Sequence, residues 1–217
     1  MEIKNVPTAV IRRLPRYYRF LEELKKSDVS RISSRELSER MGVTASQIRQ
    51  DLNFLGGFGQ QGYGYNVNYL YNEIGNILGV NTPTPVIIIG AGNLGQALAK
   101  YPSFKKRGFI IRAMFDIAPA VVGSEIGGIP VYHINSLEEY MKNNKISIAI
   151  LTLTKHAAPE VAKRLCACGI KGIMNFSYID LGIPSSVAVE NVHMSDSLMT
   201  LSYKITNCGG DVETKED

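Results

Sequence analysis

The chain has 217 residues, of which 45% are hydrophobic and 20% charged, and a formal net charge of +4. This length suits one large domain or two small ones, each able to bury a core. No apolar run approaches the roughly 20 residues that span a membrane, and the first residues lack a signal-peptide pattern. The composition therefore argues against a membrane protein, and we expect a cytoplasmic one.

Basic residues cluster near the N-terminus. No acid lies between Glu2 and Glu22, whereas five cations do: Lys4, Arg12, Arg13, Arg16 and Arg19. Such a segment often lies against phosphate, although a solvated helix face is the simpler explanation. Arg12, Arg13 and Arg16 are therefore candidate DNA contacts.

Residues 33–56 predict two short helices joined by a tight turn. Ser33 and Glu36 have the spacing of a capping box, and Gly42 ends the first helix. Thr44 and Gln47 predict a second capping box that opens the next helix. This pattern is typical of a helix-turn-helix, although any small helical hairpin shares it.

The second of these helices has an apolar stripe at helical spacing, formed by Ile48, Leu52 and Leu55, and the first helix directs Leu37 and Met41 inward. Four polar residues of the second helix point away from the stripe. From a helix in a major groove such side chains reach base edges or phosphates. They are Ser46, Arg49, Gln50 and Asn53.

A glycine-rich stretch, GGFGQQGYGYNV, follows at residues 56–67. Its glycines alternate with Phe58, Tyr63 and Tyr65, which predicts a short β-hairpin, the wing of a winged helix. A basic helix, a helix-turn-helix and a wing in this order favour DNA binding. We place this domain at residues 1–80, because the prolines of the linker GVNTPTP at residues 79–85 cannot continue a helix.

The next stretch, PVIIIGAGNLGQALAKY at residues 85–101, predicts a strand that enters a helix through a glycine turn. Gly90 permits the tight turn, Gly92 lets a pyrophosphate approach the backbone, and Gly95 lets the helix pack closely. Amides at the helix start then face the phosphate charge. The predicted site is the turn as a whole: Gly90, Ala91, Gly92, Asn93, Leu94 and Gly95.

A second predicted strand, FIIRAMFD, ends at Asp116. An acid in this place accepts hydrogen bonds from the adenosine ribose hydroxyls and repels a 2′-phosphate, so NAD(H) is the expected cofactor rather than NADP(H). An ordinary acid in a turn is the alternative. Thr152 and Asn175, on later strands, join the predicted cofactor set.

The remaining pattern completes an α/β fold. Strands at residues 146–154, 170–176 and 187–192, with a helix between the first two, predict a Rossmann-type doubly wound parallel sheet over residues 81–193. Residues 194–217 hold a final amphipathic helix and a polar tail. The apolar side of this helix exceeds what one sheet edge needs, which favours a partner chain over packing on its own domain.

No catalytic or metal-binding constellation accompanies the cofactor motif. Of the three histidines only His156 is expected at the carboxyl edge of the sheet, and it has no partner pattern. Cys166 and Cys168 point to different faces of a helix, which favours buried apolar roles over metal binding. A regulator that uses the cofactor as a signal fits best. A small NAD-dependent oxidoreductase with an N-terminal dimerisation domain, or an NADH-binding scaffold, remains the alternative.

The chain to about residue 207 resembles the Rex family of bacterial redox-sensing transcriptional repressors. The resemblance lies in RRLPRYYRFLEEL, SSRELSERMGVTASQIRQDLNFLG, GGFGQQGYGYNV, GAGNLGQALAKY, MFDIAPAVVG and GIKGIMNF. It implies a homodimer with exchanged C-terminal helices that binds a palindromic operator in double-stranded DNA. It also implies that NADH closes the dimer and releases the DNA, whereas NAD⁺ permits binding.

The resemblance also assigns residues. Tyr101 corresponds to a tyrosine that senses the nicotinamide, and Arg19 to an arginine that links the two domains. The implied DNA contacts are Ser46, Gln47, Arg49, Tyr63 and Gly64.

Three positions depart from the family pattern. His193 stands where an acid is usual as the partner of Arg19, and Asp196, one helical turn on, is the candidate substitute. Val121 stands where a lysine is common near the adenosine. The dipeptide Ser-Tyr at residues 177–178 replaces threonine or alanine followed by proline. We expect the last two departures to change cofactor affinity rather than abolish it.

Overall fold

The computed structural model describes residues 6–56, 59–60 and 63–208. They belong to two compact units, Met1–Thr82 and Pro83–Asp217. None of the helices in the described part of the chain is both long and apolar enough to cross a bilayer.

The first unit combines helices with a small antiparallel sheet. Its described helices are α1 (Thr8–Lys26), α2 (Ser34–Met41), α3 (Ala45–Phe54) and α4 (Val67–Leu78). The sheet order is β1-β3-β2, with bounds β1 (Arg31–Ile32), β2 (Gly59–Gln60) and β3 (Gly64–Asn66). Strands β2 and β3 form the predicted wing hairpin, and β1, which the sequence did not indicate, pairs with β3.

The start of α2 has the predicted capping box. The Ser33 hydroxyl accepts a hydrogen bond from the Glu36 amide at 3.1 Å, and the Glu36 carboxylate accepts one from the Ser33 amide at 2.7 Å. Gly42 ends this helix in the left-handed conformation. The second predicted box is only half formed, because Thr44 accepts from the Gln47 amide while the Gln47 side chain turns to Asp51.

The core of the first unit lies between α1, the two short helices and α4. Leu14, Tyr17 and Leu21 of α1 are fully buried in it. The inward-facing residues predicted for α2 and α3 are confirmed as buried: Leu37, Met41, Ile48, Leu52 and Leu55.

The second unit is built on a seven-stranded sheet in the order β10-β9-β8-β4-β5-β7-β6. The strands are β4 (Thr84–Ile89), β5 (Phe109–Asp116), β6 (Glu125–Ile126), β7 (Ile129–His133), β8 (Ile148–Leu151), β9 (Gly172–Asn175) and β10 (Ala188–Asn191). The described helices are α5 (Asn93–Ala99), α6 (Pro102–Lys106), α7 (Leu137–Asn143), α8 (Ala158–Ala167) and α9 (Met194–Cys208).

The sheet is parallel except at one edge. Strand β6, which the sequence did not indicate, pairs antiparallel with β7 and adds an edge strand to the predicted parallel sheet. The cause is a tight turn at Gly127 and Gly128, which have φ values of 61° and 78° that glycine adopts without strain.

Both faces of the central strand β4 are covered, as its continuous apolar run requires. Ile87 and Ile89 face α7 and α8, whereas Val86 and Ile88 face the side of α5 and α6. This arrangement places the carboxyl end of β4, and the glycine turn after it, at the centre of one sheet edge.

Helix α9 is exposed along its described length. Its apolar side chains include Leu198, Leu201 and Ile205, which are 68%, 51% and 68% exposed. The alternative in which this helix packs its apolar side on its own domain is therefore wrong.

Candidate DNA-binding and cofactor sites

The outer face of α3 carries the predicted DNA-contacting residues. Ser46, Arg49 and Gln50 are all exposed on it, together with Asn53. A guanidinium nitrogen of Arg49 donates to the Ser34 hydroxyl at 3.2 Å, which ties this side chain to the start of α2. The structure thus brings these side chains together on one accessible helix face.

A buried carboxylate lies behind this face. Asp51 is 0% exposed and accepts two hydrogen bonds from Arg13, each of 2.7 Å. It also accepts from the Tyr17 hydroxyl at 2.9 Å and from the Gln47 side-chain amide at 2.9 Å. Asp51 was not predicted, although its place three residues after Ile48 puts it on the apolar stripe, where a charged residue needs partners.

Two predicted DNA contacts, Arg13 and Gln47, also hydrogen-bond to Asp51. Arg13 ties α1 to α3, and Gln47 supports the first turn of α3. Contact of either side chain with DNA stays a prediction. Burial alone would raise the pKa of Asp51, but hydrogen bonds from Arg13, Gln47 and Tyr17 outweigh it and lower that pKa. Arg12 and Arg16, in contrast, are exposed on α1.

The wing presents an aromatic tip. Tyr63 is 69% exposed, and the Arg31 guanidinium donates to its carbonyl oxygen at 3.1 Å and lies over its ring. Gly64 has φ +68°, and a Cβ there would lie 2.7 Å from the carbonyl oxygen of Ile32. Gly64 therefore lets the wing approach β1 closely. Phe58, Gly57 and Gly62 of the predicted wing lie outside the described residues.

Two glycines of the dinucleotide motif have a steric reason within the structure. Gly90 has φ +104°, and a Cβ on it would lie 2.7 Å from the Thr152 hydroxyl. A Cβ on Gly95 would overlap the carbonyl oxygen of Gly90, so α5 packs directly on the turn. Gly92, the N-cap of α5, differs because a Cβ on it would meet no protein atom within 4 Å, and this open space at the start of α5 is called the open cradle.

Thr152 supports this turn from the neighbouring strand. Its hydroxyl lies 3.1 Å from the carbonyl oxygen of Ile89 and 2.9 Å from that of Gly90. The single hydroxyl proton is directed at these two carbonyls. Thr152 thus fixes the turn, and a direct cofactor contact by it stays a prediction.

Asp116 is the last residue of β5 and lies beside the glycine turn. One carboxylate oxygen accepts from the Ala91 amide at 2.5 Å, and the other accepts from Ile117 and Ala118 at 2.7 and 2.8 Å. A carboxylate has about four acceptor sites, of which these bonds use three, so one site remains for a ribose hydroxyl. The bonds to Ile117 and Ala118 are those of an ordinary turn acid, and the bond to Ala91 ties this acid to the glycine turn.

A cavity of about 220 Å³ adjoins Asp116. Its walls are mainly apolar, which suits a planar base, and they include residues that follow β5, β7 and β8. These residues were not predicted, although their place after strand ends was a usable signal. They include Ile117, Ile134, Leu153 and Val161.

Asn175 does not fit the predicted role of a direct cofactor ligand. It is only 1% exposed. Its oxygen accepts from the Ser177 amide and hydroxyl, and its nitrogen donates to the carbonyl oxygen of Ile179 and the side chain of Asn191. Both acceptor sites and both donors are thereby used. Asn175 shapes the loop after β9 instead.

Tyr101 lies at the opposite end of α5 from the glycine turn. It is 53% exposed, contacts Phe104 edge-on at 5.2 Å, and lines a cavity of about 260 Å³ that includes Phe109, the first residue of β5. Asp116 is the last residue of that strand, which spans roughly 25 Å at 3.3 Å per residue. The structure therefore does not bring Tyr101 together with Asp116 within one chain.

The predicted switch residues belong to different units. Arg19 is exposed on α1 of the first unit. His193 and Asp196 lie at the start of α9 in the second, where the Asp196 amide donates to the His193 carbonyl oxygen at 3.2 Å. Their contact stays a prediction. Val121 packs with the apolar residues on the α5 side of the sheet.

The cysteines of α8 behave as expected. Cys166 and Cys168 are half-buried against the core, and burial raises the pKa of both thiols. Raised values keep thiols protonated and unreactive. Across the described ranges no three His, Cys, Asp or Glu side chains are grouped so that they could hold a metal ion.

Comparison with known families matches both units. A model described as a putative DNA-binding protein N-terminus matches residues 5–53, and a CoA binding domain model matches residues 81–179. Among solved structures, RSP in complex with β-NAD⁺ and operator DNA has 57% identity and a TM-score of 0.88, with 94% of each chain covered. RSP in complex with β-NADH has 53% identity and a TM-score of 0.87, covering 95% of this chain and 97% of that one.

Curated relatives are equally similar. The redox-sensing transcriptional repressor Rex of Thermoanaerobacter pseudethanolicus is 60% identical over 201 residues, 93% of this chain and 90% of the relative. Rex of Clostridium botulinum is 57% identical over 202 residues, 93% of this chain and 96% of the relative. With identity this high over nearly its whole length, the chain belongs to the Rex family of redox-sensing transcriptional repressors.

Proposed function

We propose that this protein is a transcriptional repressor that senses the NADH/NAD⁺ ratio. The first unit binds a palindromic operator in double-stranded DNA, and the second binds NAD(H). The observation that carries the proposal is the open cradle at Gly92 beside Asp116, in a chain that also presents an accessible helix-turn-helix face. Binding of NADH releases the operator, and NAD⁺ permits its binding.

On the DNA side, α3 enters the major groove. Ser46, Arg49 and Gln50 supply hydrogen-bonding groups for base edges and phosphates, and Arg12 and Arg16 contribute positive charge from α1. The wing tip, which carries the exposed ring of Tyr63, contacts the DNA backbone or the minor groove.

On the cofactor side, the first amides of α5 face the pyrophosphate, and Asp116 accepts from the adenosine ribose. The apolar cavity beside Asp116 receives the adenine. The same carboxylate disfavours a 2′-phosphate by charge repulsion, so the expected ligand is NAD(H). Tyr101 retains a role in signalling the nicotinamide state, not in holding the cofactor of its own chain.

The functional form is a homodimer. A mainly apolar cavity of about 310 Å³ lies on the sheet face between Val86, Ile111, Ile150 and Met174. The exposed apolar side of α9 supplies complementary chemistry. Exchange of α9 between two copies covers both surfaces at once and gives a two-fold axis that matches a palindrome.

Redox discrimination follows from the charge of the nicotinamide. The ring is cationic and planar in NAD⁺ and neutral and puckered in NADH, and an apolar pocket disfavours an uncompensated cation. To move a two-state dimer from 1:99 to 99:1, the reduced form must favour one state by about 5.5 kcal/mol. Two sites in a dimer each supply about half of this.

An oxidoreductase is the weaker candidate, because the relatives with this overall architecture are repressors. His156 is exposed in the turn before α8. Because a repressor acts on chromosomal DNA, we expect the protein in the cytoplasm.

The deciding experiment is a gel-shift titration against a pool of random palindromic duplexes. We expect tight, salt-sensitive binding without ligand, loss of binding with NADH, and retention with NAD⁺ or NADPH. Binding that NADH leaves unchanged would contradict the proposal. Turnover of NADH with a carbonyl compound would favour the oxidoreductase, and an absence of both activities would favour a scaffold.

A further inference from the structure

The loop after β9 holds a tyrosine in a conformation that tyrosine rarely adopts. Tyr178 has φ +56°, and among the described residues only Asp28 is a second non-glycine residue with positive φ. A bulky side chain in this region costs about 1–3 kcal/mol and persists only where the surroundings impose it. Tyr178 is nevertheless 51% exposed, so burial of its ring does not explain the strain.

Asn175 imposes this conformation from both sides. Its side-chain oxygen binds the amide and hydroxyl of Ser177, just before Tyr178, at 2.9 and 2.5 Å. Its nitrogen binds the carbonyl oxygen of Ile179, just after Tyr178, at 2.9 Å, and the side chain of Asn191 on β10 at 2.8 Å. Because Asn175 and Ser177 are buried and hydrogen-bonded to each other, they fix the backbone on both sides of Tyr178, whose ring points outward.

The ring of Tyr178 contacts the ring of His193. Their centroids are 5.1 Å apart with the planes at 51°. Tyr178 comes three residues after the end of β9, and His193 comes two residues after the end of β10. These parallel strands therefore place the two rings at the carboxyl edge of the sheet, the edge that also carries the glycine turn.

The pair lies on the side of the sheet opposite to Asp116. In a doubly wound sheet a dinucleotide crosses the carboxyl edge with one half on each side of the switch point. Strand β4 separates β5 and β7 from β8, β9 and β10. Because Asp116 ends β5, the adenosine half belongs with the β5 side, and the nicotinamide half belongs with the ends of β8, β9 and β10.

We propose that Tyr178 and His193 form an aromatic platform that binds the nicotinamide ring of NAD(H). This rests on the proposed cofactor function and adds a ligand-contacting pair to it. Planar rings stack on aromatic faces, and a rigid platform loses little entropy on binding. The positive φ of Tyr178 strains the backbone but directs the ring toward this edge of the sheet.

The test compares ligands with and without the nicotinamide. Affinities of NADH, NAD⁺ and ADP-ribose are measured by calorimetry on the full chain, for the wild type and for Tyr178→Gly, in which glycine accepts the positive φ. We expect the Kd values of NADH and NAD⁺ to rise roughly 3- to 10-fold, as loss of an aromatic pair predicts. The Kd of ADP-ribose should not change. His193→Ala should give the same pattern.

Two controls accompany this comparison. Tyr178→Phe keeps the ring and should bind all three ligands as the wild type does. Asp28→Gly relieves the strain of the matching positive φ of 55° in the first unit and should leave every affinity unchanged. If Tyr178→Gly lost affinity for ADP-ribose and NADH equally, or lost affinity for neither, the proposed contact with the nicotinamide ring would be wrong. Failure of the wild type to bind any of the three would instead overturn the NAD(H) function itself.

Discussion

Single residues separate the two binding functions. Replacing Asp116 by alanine removes the acceptor for the ribose hydroxyls and should weaken NADH binding roughly 10- to 100-fold, because hydrogen bonds to charged groups are worth about 1.5–3 kcal/mol each. NADH fluorescence titration measures this. Operator affinity without ligand should stay near the wild-type value in a parallel gel shift. Equal loss of both would contradict separate sites.

A second prediction at the residue scale concerns Asp51 and the stability of the first unit. Asp51→Asn leaves Arg13 facing an amide in a buried position and should lower the free energy of unfolding of the first unit by about 2 kcal/mol or more. Urea unfolding measures this, with Glu39→Gln on the exposed Arg35–Glu39 pair as a control that should change little.

The pH dependence of this effect has a definite sign. Hydrogen bonds outweigh burial and hold the pKa of Asp51 below its ordinary value, so its contribution is complete above the unfolded-state pKa of about 3.9 and is lost as the pH falls through the folded-state value. The difference between wild type and Asp51→Asn should therefore shrink in acid. A difference that grows in acid would show that the carboxylate is protonated in the folded state.

Residue identity alone allowed some of these roles to be predicted. The glycines of the turn and Asp116 have the spacings of a dinucleotide-binding motif, so the sequence indicates that Asp116 lies beside the turn. The position of Asp51 on an apolar stripe indicates burial, but Arg13 lies 38 residues away, and no local pattern specifies that pairing. Asn175 was misassigned for the same reason, since its partner Asn191 is on another strand.

At the scale of elements, the position of the wing depends on its pairing with β1, a strand of two residues. Strand β1 is too short for any periodicity, so the sequence predicted the hairpin of β2 and β3 but not its anchor. Helices with caps and stripes, such as α2 and α3, were predicted nearly to the residue. The bounds of short strands that pair over long distances were predicted less precisely. The strand predicted at residues 146–154, for example, is confirmed only over Ile148–Leu151.

Gly64→Ala tests the contact between the wing and β1. The added Cβ would lie 2.7 Å from the Ile32 carbonyl oxygen, so β3 must move away and operator affinity should fall. Gly79→Ala is the matched control, because it has the same φ of +68° with no atom within 4 Å. Each should lose about 1–2 kcal/mol of stability from backbone strain, but only Gly64→Ala should weaken operator binding in a gel shift. Equal effects of Gly64→Ala and Gly79→Ala on operator affinity would contradict a role for the contact between the wing and β1.

At the scale of the whole molecule, the prediction concerns α9 as the proposed dimer interface. Leu201→Glu puts a charge on its apolar side and should convert the dimer to a monomer in sedimentation experiments, with loss of cooperative binding to a palindrome. Lys204→Glu, an exposed charge change on the same helix, should stay dimeric. A dimeric Leu201→Glu protein would argue against α9 as the interface.

The exposed side of α9 also has a consequence for how repression scales with synthesis. In the proposed dimer a second copy shields the apolar side of α9, so folding and pairing are linked by mass action. On that proposal the fraction of competent molecules rises with the abundance of the chain itself. A cell that lowered expression of this gene would then lose regulators faster than in proportion, even with its coenzyme pool unchanged.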